Sequence, residues 1–469
     1  MNLQPYPEYK DSGVAWLGEV PEHWGMERAK WLFRKMDRPV QESDEVVTCF
    51  RDGVVTLRKN RRVRGFTESL KEIGYQGIRS GDLVIHAMDA FAGAVGVADS
   101  DGKGTPVYSV CEPAEGVSPQ YYAYTVREMA RSQWILAMAK GIRERSTDFR
   151  FDGFASQRVP LPPSDEQSAV VRFLDHADRR IRRYIRAKQK LIKLLEEQKQ
   201  AIIHSAVTRG LDPDVRLKPS GVAWLGEVPE HWAVRQIGHF ARVGNGSTPS
   251  RGNSAYWHGG HYPWLNSASV NRSTITSTDQ FVTDVALREC HLPQVAPGSV
   301  LVAITGQGKT RGTVAVLNIE ATINQHIAYI TPRRDKVSPE YLHLTLTAAY
   351  RELRTISDDS GSTKGALTCG DIAHFKVALP PADEHKQIVI AIRQETQTID
   401  AALLRTHREI SLLREYRTRL IADVVTGKLD VRAAAASLPE EVEAAPDDAE
   451  PLAEDEEPTD ETAAEEAEA

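Results

Sequence analysis

The sequence predicts a mixed α/β protein in which one unit occurs twice, with short strands in each copy followed by a long helix. A motif, SGVAWLGEVPEHW, occurs letter for letter at residues 12–24 and again at 220–232. A second pair of segments, 161–212 and 379–430, keeps its apolar positions in step without a gap. Because an internal repeat decides the architecture before any single element does, we expect two similar halves related by a pseudo-twofold axis.

Charge separates the chain into a basic part and an acidic tail. Residues 437–469 contain fifteen Asp or Glu and no Lys or Arg, so the net charge of −7 for the whole chain becomes +8 for residues 1–436. A basic folded part favours a polyanionic partner. The tail, taken as 433–469, is rich in Glu, Asp, Ala and Pro and is expected to be disordered, as a solubilising extension rather than a mask for the basic surface.

Several classes of protein are disfavoured by what the sequence lacks. The cysteines, Cys49, Cys111, Cys290 and Cys369, lie far apart, which argues against a zinc site or a disulfide framework. No apolar run reaches the roughly 18 residues that span a bilayer, so we expect a cytoplasmic protein. Motifs of metalloproteases, serine hydrolases and dinucleotide-binding enzymes are missing, which favours a binding protein with no catalytic residues and no metal.

Two long helices are predicted at 163–212 and 381–432, where apolar residues alternate in steps of three and four, as in a coiled-coil seam. About 40 residues at 1.5 Å each would give a rod of roughly 60 Å. The alternative is that each helix packs only on its own domain. The expected boundary residues are Pro163 and Pro381 before the helices, Asp165 and Asp383 as caps, and Gly210 and Gly427 near the ends. The expected seam residues are Leu174, Ile181, Leu191, Leu195, Ile202, Ile392, Ile399, Ile410, Leu413 and Leu420.

The segments between the repeated motifs predict strands joined by polar loops. In the first copy a strand at 81–85 leads through a loop at 88–93 to a strand at 94–97. In the second copy a strand at 298–304 leads through a loop at 305–312 to a strand at 313–316. A shared fold with different loops is expected if both copies do one job on different targets.

Polar and basic residues in these segments are candidates for DNA contact. The first copy has a basic run that suits phosphate contact, with a solvated loop as the alternative: Arg58, Lys59, Arg61, Arg62 and Arg64. The second copy has residues suited to base edges and phosphates: Ser247, Thr248, Ser250, Arg251 and Asn266. The nearby Trp257 and Trp264 are expected in the core rather than as stacking platforms.

Residues 305–310 resemble the end of a nucleotide-binding loop, but the full pattern requires Gly at the position of Ala303. An ATPase is therefore disfavoured, and we interpret the segment as a loop that approaches DNA. Its candidate residues are Gln307, Lys309, Thr310 and Arg311. Loops before each long helix add Arg143 and Arg145 in the first copy and Thr363 and Lys364 in the second, where a solvated turn is an equal alternative.

Taken together, these motifs resemble the DNA-specificity (S) subunits of type I restriction-modification enzymes. The resemblance covers residues 1 to about 432. It rests on the repeated SGVAWLGEVPEHW, on GSTPSRGN with YW and PWLN at 246–266, on GQGKTRG at 306–312, on INQHIAYI at 323–330, on GSTKGALTCGDI at 361–372 and on the LPP-initiated helices. The first copy lacks the GSTPSRGN and GQGKT elements, so no residue there is assigned by motif.

The resemblance implies a non-catalytic subunit with two target-recognition domains, 1–162 and 213–380, each reading one half of a bipartite asymmetric DNA site. It also implies that the helices pair antiparallel, fix the spacing between half-sites and bind two methyltransferase subunits through their seams. S-adenosylmethionine, ATP and Mg would belong to those partners and to motor-endonuclease subunits. The alternatives are a coiled-coil assembly scaffold with non-specific DNA affinity, and a stand-alone nuclease or ATPase.

Overall fold

The computed structural model describes residues 3–61, 73–138, 148–306, 310–333, 336–358 and 365–439. The chain forms two compact units: unit 1 is Met1–Gln189 with Arg408–Glu468, and unit 2 is Lys190–His407. Each unit combines a β-rich region with part of both long helices. The predicted mixed α/β class is confirmed.

Unit 1 contains short strands and helices up to the first long helix. Its strands are β1 (Tyr9–Asp11), β2 (Glu19–Pro21), β3 (Gly25–Arg28), β4 (Phe33–Lys35), β5 (Val47–Cys49), β6 (Val55–Leu57), β7 (Gln76–Ile78), β8 (Leu83–His86), β9 (Val95–Val97), β10 (Gly102–Gly104), β11 (Tyr108–Pro113) and β12 (Arg158–Leu161). Its helices are α1 (Ala29–Leu32), α2 (Pro119–Arg131), α3 (Trp134–Met138), α4 (Phe151–Ala155) and α5 (Ser164–Arg209), with 3₁₀ turns at Arg58–Asn60 and Ala90–Ala92.

Unit 2 repeats this order with longer loops. Its strands are β13 (Leu217–Pro219), β14 (Glu227–Pro229), β15 (Ala233–Gln236), β16 (Ala241–Asn245), β17 (Tyr262–Leu265), β18 (Thr274–Ile275), β19 (Phe281–Val282), β20 (Ser299–Ala303), β21 (Val314–Leu317), β22 (Thr322–Ile323), β23 (Ile327–Pro332) and β24 (Lys376–Leu379). Its helices are α6 (Ser254–Trp257), α7 (Asp284–Glu289), α8 (Pro339–Ala348), α9 (Tyr350–Asp358), α10 (Cys369–His374) and α11 (Ala382–Val425), with 3₁₀ turns at Ile237–His239 and Ser267–Asn271. The last described helix, α12 (Arg432–Ala436), belongs to unit 1.

The central sheet of each unit is buried on both faces, which is why its inner strand is a continuous apolar run. In unit 1 the antiparallel sheet has the order β4-β11-β8-β9. Leu83 and Ile85 of β8 pack in the cluster that includes α2, while Val84 packs with the β5–β6 hairpin on the other face. Unit 2 has the order β16-β23-β20-β21-β18, in which Val300 packs towards α8 and Leu301 towards the opposite cluster.

One strand pair closes each β-rich region at its base. In unit 1, β3 and β12 pair antiparallel, with Gly25 opposite Leu161. In unit 2, β15 and β24 pair in the same way, with Ala233 opposite Leu379. We call the enclosed segments β-rich region 1 (25–161) and β-rich region 2 (233–379). In each unit the first and last strands of the β-rich region are therefore adjacent. The first strand follows the repeated motif, and the last precedes a long helix.

The repeated motif and the long helix meet at a buried carboxylate in unit 1. Glu166, in the first turn of α5, accepts hydrogen bonds from Trp24 Nε1 (3.0 Å) and from the hydroxyl of Tyr6, and its other oxygen lies 2.8 Å from His23 Nε2. Unit 2 has the same arrangement at Glu384, which lies 2.6 Å from Trp232 Nε1 and 2.7 Å from His231 Nε2. The shared hydrogen bonds give a physical reason for the repetition of the His-Trp pair.

The long helices run antiparallel within each unit. In unit 1, Asp178 of α5 forms an ion pair with Arg417 of α11, and Lys188 lies 2.5 Å from Glu409. In unit 2, Lys199 of α5 lies 2.5 Å from Asp400 of α11. Residue numbers thus increase along α5 in the direction in which they decrease along α11.

The predicted seam residues differ in burial. Six are buried, namely Leu174, Ile181, Ile392, Ile399, Ile410 and Leu420. Leu195, Ile202 and Leu413 are half-buried, and Leu191 is 44% exposed.

Two boundary predictions need correction. Asp165 and Asp383 are not caps: the helices begin at Ser164 and Ala382, so both carboxylates lie in the first helical turn, where they favour the positive end of the helix dipole. The predicted disordered tail starts at 433, yet α12 extends to Ala436, and Leu438 is buried with its carbonyl accepting a hydrogen bond from Arg172 (2.8 Å). Residues 440–469 lie outside the described residues.

Candidate nucleic-acid interface

The strand pairing of unit 2 gathers four loops at one edge of β-rich region 2. Asn245, the last residue of β16, pairs with Ala328, and Ala303, the last of β20, pairs with Ile327. Parallel pairing of β17 with β22 puts Leu265 beside Ile323. The loops that follow β16, β17, β20 and β22 therefore converge, and they contain the polar motifs of the second copy.

Glycine permits the closest approach between two of these loops. A Cβ atom at Gly246 would lie 1.7 Å from the carbonyl oxygen of Ile323. The next residue, Ser247, donates its backbone N–H to that same carbonyl (3.1 Å). A side chain at 246 would push the loop at 247–253 away from the loop that follows β22.

A row of hydrogen bonds joins side chains across this edge. The hydroxyl of Thr248 donates to Gln325 Oε1 (2.6 Å), and Gln325 Nε2 lies 3.0 Å from His326 Nε2. His326 Nδ1 lies 2.7 Å from the hydroxyl of Thr305. Donation by the Gln325 amide makes His326 Nε2 the acceptor, so Nδ1 carries the proton and donates to Thr305. The row orients the exposed amide of Gln325.

The guanidinium of Arg251, at the rim formed by the converging loops, stacks on aromatic rings. Its guanidinium carbon lies 4.2 Å from the ring centroid of Trp257 and 5.0 Å from that of Trp264, and Nη2 donates to Gln280 Oε1 (3.2 Å). Both contacts are to neutral groups, so the positive charge is oriented without being neutralised. Trp264 is buried, as expected for a core residue, while Trp257 is half-buried.

Two phenols beside this rim are engaged with carboxylates. Tyr256 donates to Glu289 (3.0 Å), and this hydrogen bond is the main cause of its raised pKa. Tyr262 donates to Glu320 (2.9 Å), and burial is the first cause of its raised pKa, followed by that bond. Both hydroxyls stay protonated at neutral pH and act as donors to Glu289 and Glu320.

Other predicted residues of unit 2 support the loops. Arg311 is buried, donates to the carbonyl of Gly365 (2.6 Å) and forms an ion pair with Asp358. Asn266 caps the following 3₁₀ turn by accepting the N–H of Ala268 (3.1 Å). Thr310 accepts, through its carbonyl, the hydroxyl of Thr313 (2.6 Å). The side chain of Ser250 is exposed, and its carbonyl accepts Trp257 Nε1 (3.0 Å).

In unit 1 the described part of the basic run is engaged with neighbouring side chains. Arg58 Nε donates to the hydroxyl of Thr48 (3.3 Å), and Lys59 lies 2.5 Å from Glu45. Arg61 pairs with Asp52 (2.8 Å), and both side chains are largely buried. The Lys59–Glu45 ion pair is more exposed than the Arg61–Asp52 ion pair.

Eight predicted contact residues lie outside the described residues. They are Arg62, Arg64, Arg143, Arg145, Gln307, Lys309, Thr363 and Lys364. They stay predictions.

Sequence reasoning missed Thr305, Gln325, His326 and Gln280 as members of this edge. Gln325 and His326 stand between two apolar strand segments in INQHIAYI, a pattern that marks a polar turn. That signal could have placed them in a loop, but which loops they meet depends on strand pairing.

The described residues contain neither a membrane-spanning helix nor a metal-binding cluster. In the part that the structure describes, no helix combines the length and apolar character needed to cross a bilayer. Among the same residues, no three or more His, Cys, Asp or Glu side chains are grouped to bind a metal ion.

Comparisons with known proteins agree with the motifs. Residues 229–407, which include all of β-rich region 2, match the family model of the type I restriction modification DNA specificity domain. A putative type I restriction enzyme specificity subunit, MjaX, from Methanocaldococcus jannaschii is 21% identical over 89% of this chain and 96% of its own length. The EcoR124I/EcoR124II specificity subunit of Escherichia coli is 18% identical over 50% of this chain and 55% of its own length.

A solved structure supports the fold. A chain from a study of complex assembly and conformational transition of the type I R-M system aligns with a TM-score of 0.63 and 18% identity, covering 87% of this chain and 99% of that one. The match runs through both units, whereas the family model covers only the second. The family model identifies residues 229–407 as a type I restriction modification DNA specificity domain, and the full-length relative and the repeated motifs support a type I restriction-modification specificity subunit.

Proposed function

We propose that this chain selects the DNA sequence on which a type I restriction-modification complex acts, with β-rich region 1 reading one half of a bipartite asymmetric site and β-rich region 2 reading the other. The observation that carries the proposal is that both regions are closed by the same strand pair and the same Glu-His-Trp contacts yet differ in their loops. A common frame with different loops suits two readers of different half-sites.

The edge of β-rich region 2 has the chemistry that base reading requires. Gln325 is exposed, and its amide is oriented by Thr248 and His326. An oriented amide can pair with the N6 and N7 edge of adenine in the major groove. The stacked cation of Arg251 would contact a phosphate or a guanine. Ser247, Ser250 and Lys309 would add contacts from the same loops, while Arg311 would hold its loop in place.

In β-rich region 1 the contact surface would be built from other residues. Arg58, Lys59 and Arg61 lie in or directly after the 3₁₀ turn that follows β6. The ion pairs of Lys59 and Arg61 would rearrange, or stay as supports, when a phosphate approaches. Arg62, Arg64, Arg143 and Arg145 would supply the remaining positive charge.

The long helices would bind two methyltransferase subunits and set the distance between half-sites. Leu194 and Leu412 occupy the same position in the two copies, and they are 53% and 54% exposed. An exposed leucine at a repeated position supports two equivalent binding surfaces for two identical partners. The partners would use S-adenosylmethionine to methylate adenine N6 after flipping the base out of the duplex. Motor-endonuclease subunits would use ATP and Mg to cleave unmodified DNA.

The test is to co-express the chain with its cognate methyltransferase in a host that lacks other adenine methylation, and to map N6-methyladenine by long-read sequencing. We expect a split asymmetric motif that appears only when the chain is present. A stable and active complex that methylates without any motif would contradict the proposal and favour a scaffold.

Within that experiment, Gln325→Ala is the variant of interest and Gln294→Ala is its control. Both remove an exposed neutral amide from β-rich region 2, but Gln294 lies before β20, whereas Gln325 belongs to the row across the loops that follow the strands. Gln325→Ala should relax one position of one half-site and leave the other half-site intact. An unchanged motif would remove Gln325 from the contact surface.

A further inference from the structure

A cleft in unit 1 contains an arginine that forms no hydrogen bond or ion pair with any described residue. The cleft has a volume of about 540 Å³ and lies between the loop 51–54, the segment 91–97, helix α2 and the parts of α5 and α11 that belong to unit 1. This volume is in the range of pockets that bind small molecules, roughly 300–1,000 Å³. Its lining contains none of the residues predicted to contact DNA, although Asp52 of the lining pairs with Arg61.

Five arginines line the cleft, and four of them form ion pairs. These pairs are Arg51 with Asp89, Arg131 with Glu128, and both Arg182 and Arg417 with Asp178. Arg127 of α2 forms neither a hydrogen bond nor an ion pair with any described residue. Four carboxylates also line the cleft, so its wall carries one unit of excess positive charge. Asp52 and Asp178 attract Arg127 through space without forming an ion pair with it.

The surroundings of Arg127 present its guanidinium to the cleft rather than cover it. A Cβ atom at Gly53 would lie 2.3 Å from Arg127 Nη1, so the guanidinium rests against bare backbone. Gly53 also has φ of +90°, a conformation that favours glycine. Burial, followed by the nearby Arg417, lowers the pKa of Arg127, which means that the site holds its positive charge at an energetic cost. An unpaired guanidinium that costs stability is typical of a group reserved for a ligand.

The second unit provides a comparison. Its corresponding cleft, of about 1500 Å³, is lined by α8 and by the parts of the long helices in unit 2. Where the first copy has Arg127, the second has Thr347, whose carbonyl accepts Gln200 Nε2 (2.9 Å). Where the first has Arg417, the second has Lys199, paired with Asp400. The repeat keeps a cleft but has no cation at the Arg127 position; Lys193, Lys199 and Arg351 line the unit 2 cleft from other positions.

We propose that the unit 1 cleft binds a small organic oxyanion, a carboxylate or a phosphate monoester, through a bidentate contact with Arg127. A planar guanidinium pairs with such groups through two parallel hydrogen bonds. The apolar side chains of Phe91, Val97 and Ile421 would contact the body of the ligand. A triphosphate fits poorly, because the four carboxylates of the wall leave only one excess positive charge.

The other sources of an oxyanion fit less well. A duplex is too large for a cleft of this volume. A carboxylate of a methyltransferase subunit would be expected to meet the same residue in both copies, since two identical subunits bind the repeated helices, and Thr347 cannot replace Arg127. This last argument rests on the proposed function; the experiment below requires no methyltransferase, so the two can fail separately.

The test measures binding of sodium acetate, inorganic phosphate and adenosine 5′-monophosphate to the purified full-length chain by calorimetry, at constant ionic strength. Arg127→Gln is the variant, and Arg351→Gln, an exposed arginine on α9 that lines the unit 2 cleft, is the charge-matched control. We expect saturable binding of at least one of the three, weakened at least tenfold in Arg127→Gln and unchanged in Arg351→Gln. The compound that binds tightest distinguishes a carboxylate from a phosphate site.

Unfolding without added anion provides the second readout. Because Arg127 has no partner, Arg127→Gln should be as stable as the unaltered chain or more so. Binding that is equal in both chains, no binding of any probe, or a marked loss of stability in Arg127→Gln without anion would each overturn the proposal.

Discussion

Unit 1 and unit 2 close their β-rich regions with equivalent contacts and differ in the loops that those contacts support. At the base, Glu166 and Glu384 accept hydrogen bonds from the same Trp and His positions. At the loops, Arg61 of unit 1 is paired with Asp52, whereas Arg251 of unit 2 is stacked on tryptophan and bonded to a neutral amide. Hydrogen-bonding requirements hold the frame constant, while exposed loops are free to carry different chemistry.

The frame itself is not identical in the two units, because its carboxylates differ in burial. Glu166 is 2% exposed and Glu384 is 36% exposed. Unit 1 adds the hydroxyl of Tyr6, which approaches from the N-terminal segment of the chain. We therefore expect the contacts of the repeated motif to contribute more to the stability of unit 1 than to that of unit 2.

Glu166→Ala should have the largest effect of the variants considered. It leaves three donors without their acceptor in a buried site, and we expect a loss of about 3 kcal/mol in the free energy of unfolding, against about 1 kcal/mol for Glu384→Ala. Urea denaturation of both variants measures the difference. Equal losses would show that burial does not distinguish the two contacts.

Arg311→Met should destabilise the chain by about 2 kcal/mol, because Asp358 and the carbonyl of Gly365 lose their partner. Since Arg311 is buried, the salt dependence of DNA binding should not change. Urea denaturation and DNA titrations at several salt concentrations separate the two effects. A flatter salt dependence with unchanged stability would instead make Arg311 a phosphate contact.

Arg251→Ala should weaken DNA binding by the assembled complex about tenfold and reduce the slope of log affinity against log salt by about one. Arg242→Ala is the matched control, because Arg242 is an exposed arginine on the same strand-loop segment but stands on β16 before the loop. Fluorescence anisotropy with the cognate duplex measures both. Equal weakening by the two variants would indicate a general effect of charge, not a contact by Arg251.

His385→Gln gives unit 2 the residue type that unit 1 has at the equivalent position. Gln167 occupies the equivalent position, accepting the N–H of Ser118 (2.9 Å) and donating to the carbonyl of Pro162 (2.9 Å). His385 is buried against Tyr341, and its Nε2 has no hydrogen-bond partner among the described residues. The substitution should add up to about 1 kcal/mol of stability.

The lowered pKa of His385 makes the stability of the chain depend on pH. Burial lowers the pKa of His385, so below the ordinary value of about 6.5 the unfolded chain takes up a proton that the folded chain does not. Stability is therefore lost as the pH falls through that value, and His385→Gln should remove part of this loss. Unfolding free energies measured from pH 7.5 to 5 that run parallel in both chains would contradict the assignment.

The periodic parts of the fold could be predicted from the sequence, and the long-range pairs could not. Apolar runs placed the strands around residues 83 and 300, and heptad spacing placed both ends of α5 and the start of α11 within three residues. The predicted end of α11 at 432 was wrong by seven residues, because the helix ends at Val425 just before Gly427, whose φ is +77°. The prediction of Arg311 as a DNA contact did not anticipate its burial, because Asp358 lies 47 residues away in sequence. The ion pair of Arg61 with Asp52 could not be predicted from composition either. A basic run has the same sequence whether it is solvent-exposed or paired with acidic residues of a neighbouring loop.

The central claim, that each β-rich region reads its own half-site on a common frame, can be tested by exchanging one region for the other. Residues 29–157 would replace residues 237–375, with junctions directly inside the strand pairs β3–β12 and β15–β24. Co-expressed with the methyltransferase and mapped by long-read sequencing, this chain should methylate a symmetric motif made of two inverted copies of the half-site that region 1 reads. A stable, active complex that still methylates the original asymmetric motif would contradict the claim.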